Sequence, residues 1–252
     1  MPDTSAATLT IQPNSDHLLV TARPRIDGPA VTFVAPVDPD RRSAFETAAV
    51  TAFESVAEMI ASQTVHPARQ SEQANIRLNA IYKASIDEIT EIQRARQAQL
   101  DWFDARTAPE KTVHPAEGTI VNQFAAMSAG QRAMWIERAN IAELSAVLRW
   151  PTLFQTDEQY NAARLAMFYK RGEKDPENIV KAGVQPTVDH PAKNGVDQDK
   201  LKAAVHQSHE DYLTRLSVLD DREAVVSNAI KTAAVLVELP PESVFDIIRV
   251  LK

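Results

Sequence analysis

Apolar residues recur at steps of three and four along most of this chain and alternate singly with polar residues only near its beginning. Thr8-Leu9-Thr10-Ile11-Gln12 alternates, His17 to Ala22 is rich in Leu and Val, and Ala30 to Ala35 is β-branched and aromatic, with Asp27-Gly28 as turn chemistry before the last run. Such runs suit strands, whose successive side chains point to opposite faces. The pattern predicts two or three short strands, or an extended arm, over residues 1–37. Six of the fifteen prolines fall within residues 1–39. A segment so short and so interrupted is expected to dock on something larger, either its own helical body or a neighbouring copy.

From residue 38 onward the period changes. Proline removes a backbone donor and clashes with the preceding helical turn. The proline-free stretches 40–66, 68–108, 116–150, 152–175 and 192–239 are therefore where long helices can run. Asp38-Pro39 reads as a helix start, followed by the stripe Phe45, Ala49, Ala52, Val56 and Met59. Residues 68–106 predict a second helix with Leu78, Tyr82, Ile89, Ile92 and Phe103 on one seam, interrupted by Ser85, Arg96 and Gln99. Six acids balance six bases across 68–108, as on a helix with much of its circumference in water. Ser128-Ala129-Gly130-Gln131 has the capping-box pattern and opens a third helix running to Trp150, with Met134, Ile141, Leu144 and Leu148 facing the core. Thr156-Asp157-Glu158-Gln159 opens a fourth, which ends in Lys170-Arg171-Gly172. Aromatic residues concentrate between 102 and 169, where the thickest core is expected.

Residues 173–196 are dense in turn formers and predict a linker holding one short helix from Asp175-Pro176 to Gly183. The longest helix is expected in 197–239. Leu201, Val205, Tyr212, Leu216, Leu219, Val226, Ile230 and Val237 form an apolar seam there, with coiled-coil-like spacing in its second half. These eight are the candidate interface residues. Pro240-Pro241 ends the helix, and Val244, Ile247, Ile248 and Leu251 predict a short amphipathic helix after it. The expected fold class is mainly α: an antiparallel bundle of long helices over 38–172, a β-like arm at 1–37, a linker at 173–196, and a long helix plus a short one in 197–252.

Composition narrows the function classes. A formal charge of −7 and a pI near 5.4 argue against a broad nucleic-acid or anionic-membrane surface, which needs a basic face. Without cysteine there is no disulfide framework, thiol nucleophile or thiolate metal site. Met1-Pro2-Asp3-Thr4-Ser5 lacks the charged and apolar regions of a signal peptide, and no apolar run is long enough for a membrane span. A cytoplasmic location is the simplest expectation.

Candidate chemistry is sparse. Thr64-Val65-His66-Pro67-Ala68 recurs as Thr112-Val113-His114-Pro115-Ala116 and, with one insertion, as Thr187-Val188-Asp189-His190-Pro191-Ala192. Three imidazoles meeting on a metal is one reading. The stronger one is that His-Pro opens helices, because the residue before proline is pushed out of the α region. His206, His209 and Glu210 form H-x-x-H-E, which shares spacing with zinc hydrolase motifs but not their order. Asp220-Asp221-Arg222-Glu223 reads as helix-surface charge rather than a magnesium site, and Trp150, Phe154, Tyr160 and Phe168 as core rather than a ligand cavity. No phosphate loop, dinucleotide fingerprint or nucleophile elbow occurs.

The reading that results is a non-enzymatic structural or interaction protein without a cofactor. It acts with protein partners, including copies of itself, in a larger assembly; a bacteriophage head, neck or tail-assembly component is one concrete form. The alternative is a helical metal-binding protein or enzyme using His206, His209 and Glu210.

Overall fold

The structure is a computed structural model and describes residues 7–24, 28–187 and 190–239. It is mainly helical, with a small antiparallel sheet near the N-terminus. The sheet has three strands in the order β1 (Thr8–Asn14), β2 (His17–Arg23) and β3 (Val31–Pro36). Register pairs Ile11 with Val20 and Val20 with Phe33. The β1–β2 turn is the dipeptide Ser15-Asp16, in which Ser15 takes a left-handed backbone at φ 50°. Of the two outcomes expected for this segment the strands are the one that forms: Leu18, Val20 and Ala22 face a core while His17 and Arg23 are exposed.

Eight α-helices lie among the described residues: α1 (Ala44–Ser62), α2 (Pro67–Thr107), α3 (Glu117–Ala126), α4 (Ala129–Arg138), α5 (Ile141–Leu148), α6 (Asp157–Gly172), α7 (Pro176–Ala182) and α8 (Gln198–Leu236). A second hairpin, β4 (Val184–Thr187) with β5 (His190–Val196), precedes α8. Several starts differ from the sequence expectation for a local reason. Asp38-Pro39 caps only a single 3₁₀ turn, Pro39–Arg41, and α1 begins at Ser43, whose hydroxyl and Glu46 carboxylate form a capping box. The helix expected from Ser128 to Trp150 is two helices. It breaks at Ala139-Asn140, where Asn140 and Glu143 form another box, and Met134 is consequently 55% exposed instead of facing a core. Residues 173–196 carry the short helix, capped by Asp175 and closed by Gly183 at φ 73°, and also the β4–β5 hairpin. The expected helix at 242–251 lies outside the described residues.

The chain divides into two compact units, one made of residues up to 96 together with those from 217 on, the other of residues 97–216. These boundaries fall inside α2 and α8, whereas the sequence placed its divisions at the turn-rich stretches. In the first unit the sheet docks on its own chain: Val20, Ala22, Phe33 and Ala35 share a core with Phe45, Val50, Phe53 and Val56 of α1. Leu78, Ile81 and Ile92 from α2 and Val226, Ile230 and Ala233 from α8 complete it. Ser85, which interrupts the α2 seam, is buried but donates to the Ile81 carbonyl at 2.7 Å, so its hydroxyl is satisfied within the helix.

The second unit has a smaller aliphatic core in which Phe124, Ile136, Leu144, Val147, Ala163 and Met167 meet. The greater core is therefore in the first unit and not in the aromatic-rich stretch. Beside the smaller core, Arg132 is only 5% exposed. Its guanidinium donates to the carbonyls of Met127 at 3.1 Å, Leu153 at 2.6 Å and Ala125 at 2.9 Å, joining the ends of three short segments. Arg149 does the same for the 108–116 connection, pairing with Glu117 and donating to the carbonyls of Glu110 and Thr112.

Candidate functional site

Among the described residues the first unit has a concave surface of about 240 Å³ beside Phe45, Glu88 and Val225, and two others, in the second unit, carry the candidate sites. The first is a polar cleft of about 190 Å³ walled by α2, α6, α7 and α8. Its apolar side is an aromatic stack. Tyr212 lies 5.0 Å from Phe103 and 5.7 Å from Trp102, both nearly parallel, and Phe168 sits 5.6 Å from each of those rings. Offset stacking of this kind fixes ring positions as well as burying area. The Arg106 guanidinium lies 4.1 Å above the Trp102 ring, a cation–π contact that holds it at the cleft wall. Asn178, 95% buried, forms the opposite support: its amide donates to the Gly172 carbonyl at 3.0 Å and accepts from Ser208 Oγ at 3.1 Å.

The second surface is an apolar groove of about 420 Å³ between α4 and α6. Ala133 and Ile136 line it from α4, and Ala162, Leu165 and Ala166 from α6, with Glu137, Lys170 and Glu173 among its lining residues. Ile136 is itself buried, while Leu165 and Ala166 are half-buried.

Neither a family model, nor a curated protein, nor a solved structure matches this chain.

The eight candidate interface residues are mostly covered by their own chain. Leu219, Val226, Ile230 and Val237 belong to the core of the first unit; Leu201, Val205 and Tyr212 are buried in the second; Leu216 is half-buried. The spacing marks a packed face of α8, and the partner over most of it is intramolecular. Val205 even touches the α6 backbone: a Cβ placed on Gly172 would stand 2.5 Å from Val205 Cγ1.

Of the H-x-x-H-E residues, His206 and Glu210 are exposed and His209 is half-buried. Both histidines turn to Tyr169. The His206 ring is 4.6 Å from it, and His209 Nδ1 lies 3.3 Å from the Tyr169 hydroxyl. Burial holds the His209 imidazole below its ordinary range, opposed by the Glu210 charge and reinforced by His206. Burial likewise raises the Tyr169 phenol, with Glu210 adding to the effect. Among the described residues no group of three or more His, Asp or Glu is placed to hold a metal ion.

The His-Pro copies do not share a setting. His66 precedes α2, His114 precedes α3 with its Nδ1 accepting from the Ala116 amide at 3.1 Å, and His190 opens β5. The acidic cluster is a surface network: Asp220 and Glu223 both meet Arg96 at 2.7 Å, and Arg222 meets Glu88 at 2.7 Å. The aromatic stripe is divided. Phe154 and Tyr160 pack by the aliphatic core with Phe124, Phe168 joins the cleft stack, and Trp150 is 53% exposed. Sequence reading missed the cleft because its arginines come from three separated helices; only the basic pair ending α6, Lys170-Arg171, carried a local signal.

Proposed function

We propose that this chain is a non-enzymatic structural or interaction protein that works in a larger assembly containing copies of itself, with a bacteriophage head, neck or tail-assembly component as one concrete form. The observation that supports the reading is the open apolar groove between α4 and α6. The α8 seam no longer supplies that support, since its residues are already covered. In this reading the groove's occupant is the same surface of a second copy. A two-fold contact is self-complementary, and the groove carries both apolar residues, Leu165 and Ala166, and opposite charges, Lys170 against Glu137 and Glu173, that a second copy can match. Covering apolar surface contributes roughly 25 cal/mol per Å² removed from water.

Light scattering at micromolar concentration tests this. The expected mass is a multiple of the 27.8 kDa chain. Leu165→Glu should return it to a single chain with its helical circular dichroism unchanged. A parent protein that is monomeric at that concentration overturns self-assembly, and a Leu165→Glu protein that stays assembled overturns the groove as its seat.

A further inference from the structure

We propose that the cleft walled by α2, α6, α7 and α8 is a binding site for a small oxyanion, a compact molecule bearing carboxylate or phosphate. This goes beyond the assembly reading and does not depend on it. Four cationic side chains line the cleft, Arg106, Arg171, Lys181 and Arg215, against the carboxylates Asp175, Glu177 and Asp211. Their pairing is uneven. Lys181 and Glu177 neutralise each other at 2.9 Å, and Arg106 reaches Asp175 only at 3.7 Å. Arg171 spends one donor on the Arg106 carbonyl at 3.1 Å and meets no carboxylate among the described residues, while Asp211 accepts from Gln207 at 2.7 Å. Arg215 makes no hydrogen bond or ion pair with any described residue. Two guanidinium charges therefore stand against one unpaired carboxylate.

The unpaired groups are arginines, and a planar guanidinium presents parallel donors that match carboxylate and phosphate oxygens two at a time. Arg106 is already held over Trp102, and Trp102 is held by Tyr212, so part of the ordering cost of binding is met before a ligand arrives. The volume sets the size class. About 190 Å³ corresponds to roughly six waters at ~30 Å³ each, enough to accommodate phosphate or a short dicarboxylate.

The test is a titration of the full chain with inorganic phosphate and, separately, with succinate, at constant ionic strength. The reporter is the nuclear magnetic resonance signal of the Trp102 indole, assigned with Trp102→Phe. A saturable shift is expected with at least one of the two, and the arm that saturates identifies the head group. Arg215→Ala, which removes a side chain holding nothing in the fold, should weaken binding about tenfold, the size of one charge-assisted contact. Arg94→Ala, an exposed arginine of the first unit, should bind as the parent does. No saturation with either probe, or Arg215→Ala binding as tightly as the parent with an unchanged melting temperature, overturns the proposal.

Discussion

The core of the first unit contains four rings, Phe33, Phe45, Phe53 and Tyr82, set among alanine, valine, leucine and isoleucine from five separated elements. In the second unit, rings and guanidiniums meet repeatedly: Arg106 on Trp102, Arg132 on Phe124 and Arg164 on Phe103. Its helices are short, and several are closed at the start by their own side chains. The contrast separates two routes to order. One relies on non-directional burial between distant segments, the other on local caps and directional contacts. Both candidate binding surfaces lie in the second.

The largest test of this contrast is Phe53→Ala. Phe53 is fully buried with its ring 5.6 Å from Phe33, so truncation should cost about 3–5 kcal/mol. Thermal unfolding gives the loss, and amide exchange should rise in β1–β3 and α1 well beyond any rise in α4–α6. Uniform exchange across both units would break the comparison.

Next is an alkaline effect specific to the first unit. Tyr82 is buried with a hydroxyl that finds no partner among the described residues, and burial pushes its phenol up to about 12. Above pH 10 the unfolded chain releases this proton while the folded chain keeps it. Stability should therefore fall between pH 10 and about 12, by about 2 kcal/mol from this residue. Tyr82→Phe should remove that part of the decline and cost little near neutral pH, since it deletes an unsatisfied group. Denaturant midpoints of both proteins across this range measure the difference.

Gly172→Ala comes third and probes the second unit's close packing. The added methyl would stand 2.5 Å from a γ-carbon of the stiff Val205 side chain, an overpacking of about 1.5 kcal/mol. Val205→Ala should cancel most of the clash, so a double-mutant cycle should show strong coupling; additive losses would mean that the neighbour yields elsewhere. Smallest is Asn140→Ala, which removes one half of a capping box and should cost about 1 kcal/mol, with exchange rising in α5 and the first unit unaffected.

Legibility in the sequence followed the same division. Alternation at Thr8–Gln12 and the Leu- and Val-rich run at His17–Ala22 point to strands or an extended arm, because such residues suit a half-buried pleated face. The starts of α1 and α5 are written as Ser43-x-x-Glu46 and Asn140-x-x-Glu143, the first in competition with the Asp38-Pro39 cap just upstream and the second inside a proline-free stretch that reads as one helix. Nothing comparable marks α3, whose Ala116 cap makes no side-chain bond. In β4–β5, Pro186 and Pro191 hid the strands, since proline inside a run argues against pairing. The α8 seam was legible as a buried face, but its periodicity is the same whichever surface covers it. The cleft depends on Arg106, Arg171 and Arg215 being brought together by tertiary structure, which no local pattern records.

The first unit is assembled from segments on either side of the 97–216 stretch, and synthesis delivers them at different times. Val20, Phe33 and Phe53 leave the ribosome before the 97–216 stretch, while Val226, Ile230 and Ala233, which close over the same interior, leave only after it. The intervening 97–216 stretch is complete in sequence just before those α8 residues are added. A nascent chain exposed only as far as Leu216 thus carries a complete middle and an unsealed first unit, whose apolar sheet face is a natural client for chaperones until the rest of α8 emerges.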